Sequence, residues 1–246
     1  MLIIPAIDLK DGQCVRLRQG DMAAQTVYSE DAAAVAARWQ ESGAELVHIV
    51  DLNGAVDGRP KNLVHIEKIL VTVRAKIQVG GGIRTIETIR KYVALGVCRV
   101  VLGTAALEDR SLLDEACREF PGKVVLGLDA KDGKVAIRGW TSLSNTTAAE
   151  LLRKLAGYPL AAVIYTDIAR DGMLTGPNMV GLRDIAEQSA FPVIASGGIS
   201  RMEDLQAIHQ IGPRIQGAII GKALYDGKVD LREAIRAAKE RHVSPC

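Results

Sequence analysis

The tetrad Asp-x-Lys-Asp followed by glycine occurs twice, in IDLKDG at Ile7–Gly12 and in LDAKDG at Leu128–Gly133. The leading aspartates, Asp8 and Asp129, lie 121 positions apart in a chain of 246 residues. Two carboxylates that face one another serve as general base and general acid when their surroundings push their pKa values apart. The plainer alternative is that each caps a turn or pairs with the neighbouring Lys10 or Lys131. A pair that recurs at half the chain length, with glycine in both loops, speaks for chemistry.

A second constellation is built of glycines. QVGGGIRT (Gln78–Thr85) is answered by IASGGISR (Ile194–Arg201), and VVLGTAAL is answered by AIIGKALY. Bare backbone amides followed by a helix make an anion site. Gly81, Gly82, Gly103 and Thr104 are therefore expected to form one phosphate site, and Gly197, Gly198, Gly221 and Lys222 its twin. Tight turns for close packing are the alternative. Two opposed phosphate sites with carboxylates between them imply a long small-molecule ligand, a bisphosphate that reacts near its middle.

These residues need elements to hold them. Strands are expected at Leu2–Asp8, Leu46–Asp51, Ile77–Gly80, Arg99–Gly103, Lys123–Asp129, Ala161–Asp167, Pro192–Ser196 and Gln216–Gly221, each ahead of a helix-period segment. Eight such units in one chain without a linker predict a single α/β domain, a (β/α)₈ TIM barrel. An open doubly wound sheet is the competitor, but no G-x-G-x-x-G follows the first strand. Asp51 and Asp167 recur 116 apart, as do Gly81 and Gly197, so the barrel reads as two half-barrels, about 1–120 and 121–246. In a closed barrel, elements half a chain apart stand opposite across the mouth. The 20-residue stretch Asp11–Glu30 exceeds the usual length of a βα loop and suggests a mobile lid or a plain insertion.

Composition excludes several classes. Aromatic residues make up 4%, so the core must be branched aliphatic, and a net charge of +2 with no basic run argues against nucleic acid. The four cysteines show no metal or C-x-x-C spacing, and no cofactor fingerprint is present, so no metal and no cofactor are expected. The apolar start MLIIPAIDLKDG is too short for a leader, and no window reaches the ~18 residues of a membrane span, which predicts a cytoplasmic protein without membrane contact. A monomer is expected. Trp39 sits at helical spacing among Ala and Val and is expected to pack; no histidine is expected to be catalytic.

IIPAIDLKDGQCVRLRQGD, HIVDLNGA, QVGGGIRT, LGTAAL, GLDAKDGKVAIRGW, YTDIARDGMLTGPN, ASGGIS and IIGKALY together resemble the phosphoribosylformimino-aminoimidazole carboxamide ribotide isomerases of histidine biosynthesis, from about residue 2 to about residue 231. That resemblance implies a cofactor-free Amadori rearrangement of an aminoaldose to an aminoketose. It implies Asp8 as the base at ribose C2, Asp129 as the acid at the ring oxygen, and Thr166 as an assisting hydroxyl. Asp171, Arg84 and Trp140 would meet the substrate, with Arg16 and Gly20 in the first loop. Each has a plain alternative: a strand residue at Thr166, a turn former at Asp171, a helix start at Arg84, loop packing at Trp140. The resemblance also leaves relatives open. The cyclase subunit of imidazole glycerol phosphate synthase shares the duplication, although it has Cys-Leu-Asp where this chain has PAIDL. A dual-substrate isomerase acting on phosphoribosylanthranilate would use an arginine in loop five, for which Arg138 stands ready. A binding module without turnover would have lost a carboxylate, and both are present.

Overall fold

The structure is a computed structural model describing residues 1–240, apart from 19, 138, 139 and 141 and the side chains of 18 and 137. Arg138, singled out above, thus lies outside the described residues. In chain order the first half runs β1 (Leu2–Lys10), β2 (Gln13–Arg18), β3 (Asp21–Ser29), α1 (Ala32–Glu41), β4 (Leu46–Asp51), α2 (Leu52–Asp57), α3 (Leu63–Thr72), β5 (Lys76–Gly80), α4 (Ile86–Ala94), β6 (Arg99–Leu102), α5 (Thr104–Glu108) and α6 (Arg110–Glu119). The second runs β7 (Val124–Lys131), β8 (Lys134–Ile137), β9 (Ser142–Thr147), α7 (Ala148–Leu155), β10 (Ala162–Asp167), α8 (Met179–Gln188), β11 (Val193–Ser196), α9 (Met202–Gln210), β12 (Ile215–Ile220), α10 (Lys222–Tyr225) and α11 (Leu231–Glu240).

The parallel strands pair in the ring β1-β4-β5-β6-β7-β10-β11-β12 and back to β1, which closes the barrel. The eight expected strands are these eight. The period of two explains both cores. Inward positions such as Ile4, Leu46, Val125, Ile164, Ile194 and Ile219 fill the interior. Outward ones such as Ile3, Ile7, Val47 and Ile49 pack under the helices. Helices begin where side chains satisfy their first amides. Asp31 accepts from Ala33 and Ala34 at α1, and Thr147 with Glu150 forms a capping box at α7.

The stretch 11–30 is not an irregular loop. It is the antiparallel hairpin β2–β3 laid against β1, and β8–β9 repeats it against β7. The recurring Asp-Gly is its turn. Lys10 pairs with Gln13 and Lys131 with Lys134, leaving two-residue loops in which Asp11, Gly12, Asp132 and Gly133 all have φ between 51° and 79°. That is the turn whose twist matches a hairpin. The first turn is anchored by Asn53, whose Oδ1 accepts from the Asp11 amide at 2.8 Å, and by Asn62, which accepts from the Gly12 amide at 2.9 Å.

Candidate active site

Asp8 on β1 and Asp129 on β7 point inward at the C-terminal rim, and in the ring of eight their strands are four steps apart, directly opposite. Both are half-buried, and they have unlike partners. Asp8 Oδ2 accepts from Arg16 Nη1 of β2 at 2.6 Å, with the side chains 17% and 12% exposed. Asp129 Oδ2 accepts from the Trp140 indole Nε1 at 2.8 Å, and Thr166 stands beside it in register on the neighbouring strand β10. Burial pushes both carboxyls up; the Arg16 charge and hydrogen bond oppose this at Asp8, whereas only neutral donors oppose it at Asp129. A nearby cation favours the ionised form far more than a neutral donor does. The pair that looks symmetric in sequence therefore stands in unlike surroundings, a cation at Asp8 and neutral donors at Asp129.

A third carboxyl joins them. Asp171, in the loop after β10, is pushed up to about 6 by burial; the Arg16 charge works against this, and the charges of Asp8 and Asp129 work with it. Arg16 thus sits between two carboxyls, Asp8 and Asp171. Arg16 and Asp171 line a cleft together with Gly197, Gly198, Gly221 and Lys222, which is the whole second glycine set. A side chain at Gly221 would overlap the Arg16 guanidinium, so glycine here makes room for the arginine. Lys222 is tied to Asp226, which also accepts from the Tyr28 hydroxyl of β3 at 2.7 Å. Tyr28 packs on Tyr225 with ring centroids 4.8 Å apart, pinning the first hairpin to the second-half rim.

The glycine sets fall on adjacent strands, β5 with β6 and β11 with β12, as the repeat requires. Their local geometry departs from expectation in one respect. No helix follows the glycine pairs at once: the N-caps, Thr85 and Arg201, come three residues later. Gly103 and Gly221 are themselves the residues capping the short helices α5 and α10, in matching conformations of φ −97°, ψ −118° and φ −109°, ψ −100°. Gly81, Gly82, Gly197 and Gly198 all have positive φ, and a Cβ on any of them would strike backbone carbonyl oxygens, those of Asp51 and Gly54 in the first half and of Asp167 and Gly176 in the second. Close packing thus accounts for these glycines whether or not a phosphate sits there. Thr104 opens α5 beside Gly103.

Behind the glycines stands a matched polar brace that the sequence reading missed. Asp51 accepts from the amides of Gly54, Lys61 and Asn62 and from Asn62 Nδ2 at 2.7 Å; Asp167 accepts from the Ala169 amide and from Asn178 Nδ2 at 2.6 Å. Each asparagine lies 11 residues beyond its aspartate, a spacing repeated in both halves and visible in the sequence.

Two expected substrate residues are already engaged. Trp140 gives its N–H to Asp129, holds φ at 71°, and lies so close to Gly20 at the tip of the first hairpin that any side chain there would strike the indole ring. The two hairpins therefore meet over the mouth. Arg84 is exposed, with its guanidinium against Gly58 and a hydrogen bond to the Ala55 carbonyl at 3.3 Å; that places it on the rim beside the first glycine set.

The arrangement can move protons between two opposed carboxyls over a ligand with an anionic end. The family model described as histidine biosynthesis protein matches residues 2–230. A relative from Desulfosudis oleivorans is 52% identical over 97% of this chain and 95% of its own length. Others from Geobacter sulfurreducens and Thermodesulfovibrio yellowstonii are 51% and 49% identical, each over 97% of this chain and 98% of their own. All three are named 1-(5-phosphoribosyl)-5-((5-phosphoribosylamino)methylideneamino)imidazole-4-carboxamide isomerase.

Proposed function

The chain belongs to the family of histidine biosynthesis proteins, and from that premise we propose that it is the isomerase converting the phosphoribosylformimino-aminoimidazole carboxamide ribotide from aminoaldose to aminoketose. The observation that carries the catalytic assignment is the unlike environment of the facing acids: a guanidinium on Asp8, neutral donors on Asp129. Asp129 gives its proton to the ribose ring oxygen as the C1–O bond breaks and the nitrogen lone pair forms the C1=N bond. Asp8 takes the proton from C2; the C–H electron pair becomes the C1=C2 bond and the C1=N pair returns to nitrogen. Asp8 then returns its proton to C1 while Asp129 accepts the C2 hydroxyl proton, which leaves the ketone and restores both acids. Thr166 orients Asp129, and Trp140 and Arg84 hold the substrate with Asp171.

The substrate's phosphates occupy the two glycine sets, at Gly81, Gly82, Gly103 and Thr104 and at Gly197, Gly198, Gly221 and Lys222. Both halves of the site come from one chain, which supports a monomer as the working form. No described helix is long and apolar enough to cross a membrane, and we place the enzyme in the cytoplasm. Arg138 in loop five keeps phosphoribosylanthranilate as a second substrate to assay. The purified protein is to be given both compounds in parallel. Conversion of the carboxamide ribotide is the expected result, and conversion of both marks a dual-substrate enzyme. Conversion of neither, with ammonia-dependent cyclisation instead, would replace this reading by the cyclase.

A further inference from the structure

The two half-barrels are alike at the rim and different one layer below it. The spacing of 116 that relates Asp51 to Asp167 also relates His48 on β4 to Ile164 on β10, and Gln78 on β5 to Ile194 on β11. All four point inward at one height: His48 is in register with Ala6, two residues below Asp8, and Ile164 with Gly127, two residues below Asp129. The barrel layer beneath the two acids is therefore aliphatic in the second half and polar in the first.

A polar pair in an aliphatic barrel costs stability unless it is bonded and used. His48 and Gln78 are both buried, and Gln78 Nε2 meets His48 Nδ1 at 3.1 Å. With Gln78 donating, the ring proton sits on Nε2. That nitrogen has no protein partner among the described residues, Gln78 Oε1 is buried without one, and Ile4 and Leu46 fill the barrel beneath the pair. Burial, with the Arg16 charge adding to it, pushes the His48 imidazole down to about 4, so it stays a neutral donor at working pH.

A substrate with a phosphate at each end could lie in a symmetric cleft in either direction, and only one direction sets its reacting ribose beside the base. We propose that His48, oriented by Gln78, is the residue that breaks this symmetry: its Nε2–H donates to the ribose hydroxyl at C3, next to the reacting carbon, and so seats that sugar over Asp8. The proposal rests on the isomerase reading above. The same interaction at Ile164 and Ile194 is unavailable, so the reversed pose leaves a sugar hydroxyl over hydrocarbon.

The test is steady-state kinetics on the ribotide and on its analogue lacking the reacting ribose's 3-hydroxyl, using the wild-type protein, His48→Leu, His48→Gln and Gln78→Leu, with folding checked by thermal melting. Wild type should prefer the parent by at least about tenfold in kcat/KM, because a site built to bond a hydroxyl rejects the analogue without it. His48→Leu should lose that preference by falling on the parent alone, His48→Gln should recover part of it, and Gln78→Leu should weaken it. Should His48→Leu not fold, the other two variants decide. Equal losses on both substrates, or no wild-type preference, overturn the proposal while leaving the isomerase intact. No turnover of the parent by wild type overturns the isomerase reading itself.

Discussion

Replacing Arg16 by methionine keeps much of the side chain's volume and removes the one charge that opposes the rise of Asp8. The ion pair is short, 2.6 Å, and its side chains are 17% and 12% exposed, so water screens it little. Two unit charges about 4 Å apart at an effective dielectric near 20 interact by about 4 kcal/mol. An arginine beside an aspartate ordinarily lowers its pKa by about 1–3 units, each unit being ~1.4 kcal/mol. In the proposed reaction Asp8 works ionised, so without Arg16 the acid limb of the kcat/KM profile moves to higher pH by about two units. Below the new limb activity falls on the order of 100-fold; above it, activity climbs back towards wild type, less whatever contact Arg16 makes with the substrate. The assay is the full pH–rate profile of Arg16→Met. A drop of the same factor at every pH, with the acid limb unmoved, would show that Arg16 only binds substrate and would refute the electrostatic role.

Asp171, raised from 3.8 to about 6, binds its proton more tightly folded than unfolded. Its contribution is thus fully present below pH ~4 and is lost as pH rises through 6, so Asp171→Asn should raise stability by about 2–3 kcal/mol at pH 8 and little at pH 4, read from denaturant melts at both; equal effects would contradict this. Gly221→Ala should melt like wild type yet lose activity at least about tenfold, because the new methyl must displace the Arg16 guanidinium; unchanged kinetics would show that the arginine has room elsewhere. Asn62→Ala strips a side-chain donor from the buried Asp51 and the acceptor of the Gly12 amide, and should cost about 2–4 kcal/mol in the same melts; a loss below about 1 kcal/mol would mean the brace is not carrying the loops.

The barrel was legible because parallel strands buried on both faces read as apolar runs, and each run here ended in a turn signal. The half-barrel repeat located Asp8, Asp129 and both glycine sets before any geometry. The hairpins were signalled too: Asp-Gly after a strand is a hairpin turn, but the repeated motif drew attention to its carboxylate at Asp8 and away from Gly12 and Gly133. What sequence could not supply was partnership. Nothing in the order of residues says that Arg16 turns onto Asp8 or Trp140 onto Asp129, because that depends on how each hairpin folds back over its strand, and Tyr28 meets Asp226, 198 positions on, only when the ring closes. His48 passed as a strand residue because its partner Gln78 lies 30 positions away.

The central claim is that the two symmetric acids do opposite work, and the most direct measurement is the pH dependence of kcat/KM for wild type, Asp8→Asn and Asp129→Asn on the carboxamide ribotide. The wild-type profile should be a bell. The residual activity of Asp8→Asn should lose the acid-side limb, because no base remains to be ionised, and that of Asp129→Asn should lose the alkaline limb, because no acid remains to be deprotonated. Loss of the same limb in both variants, or a bell that survives either substitution, would contradict the division of roles.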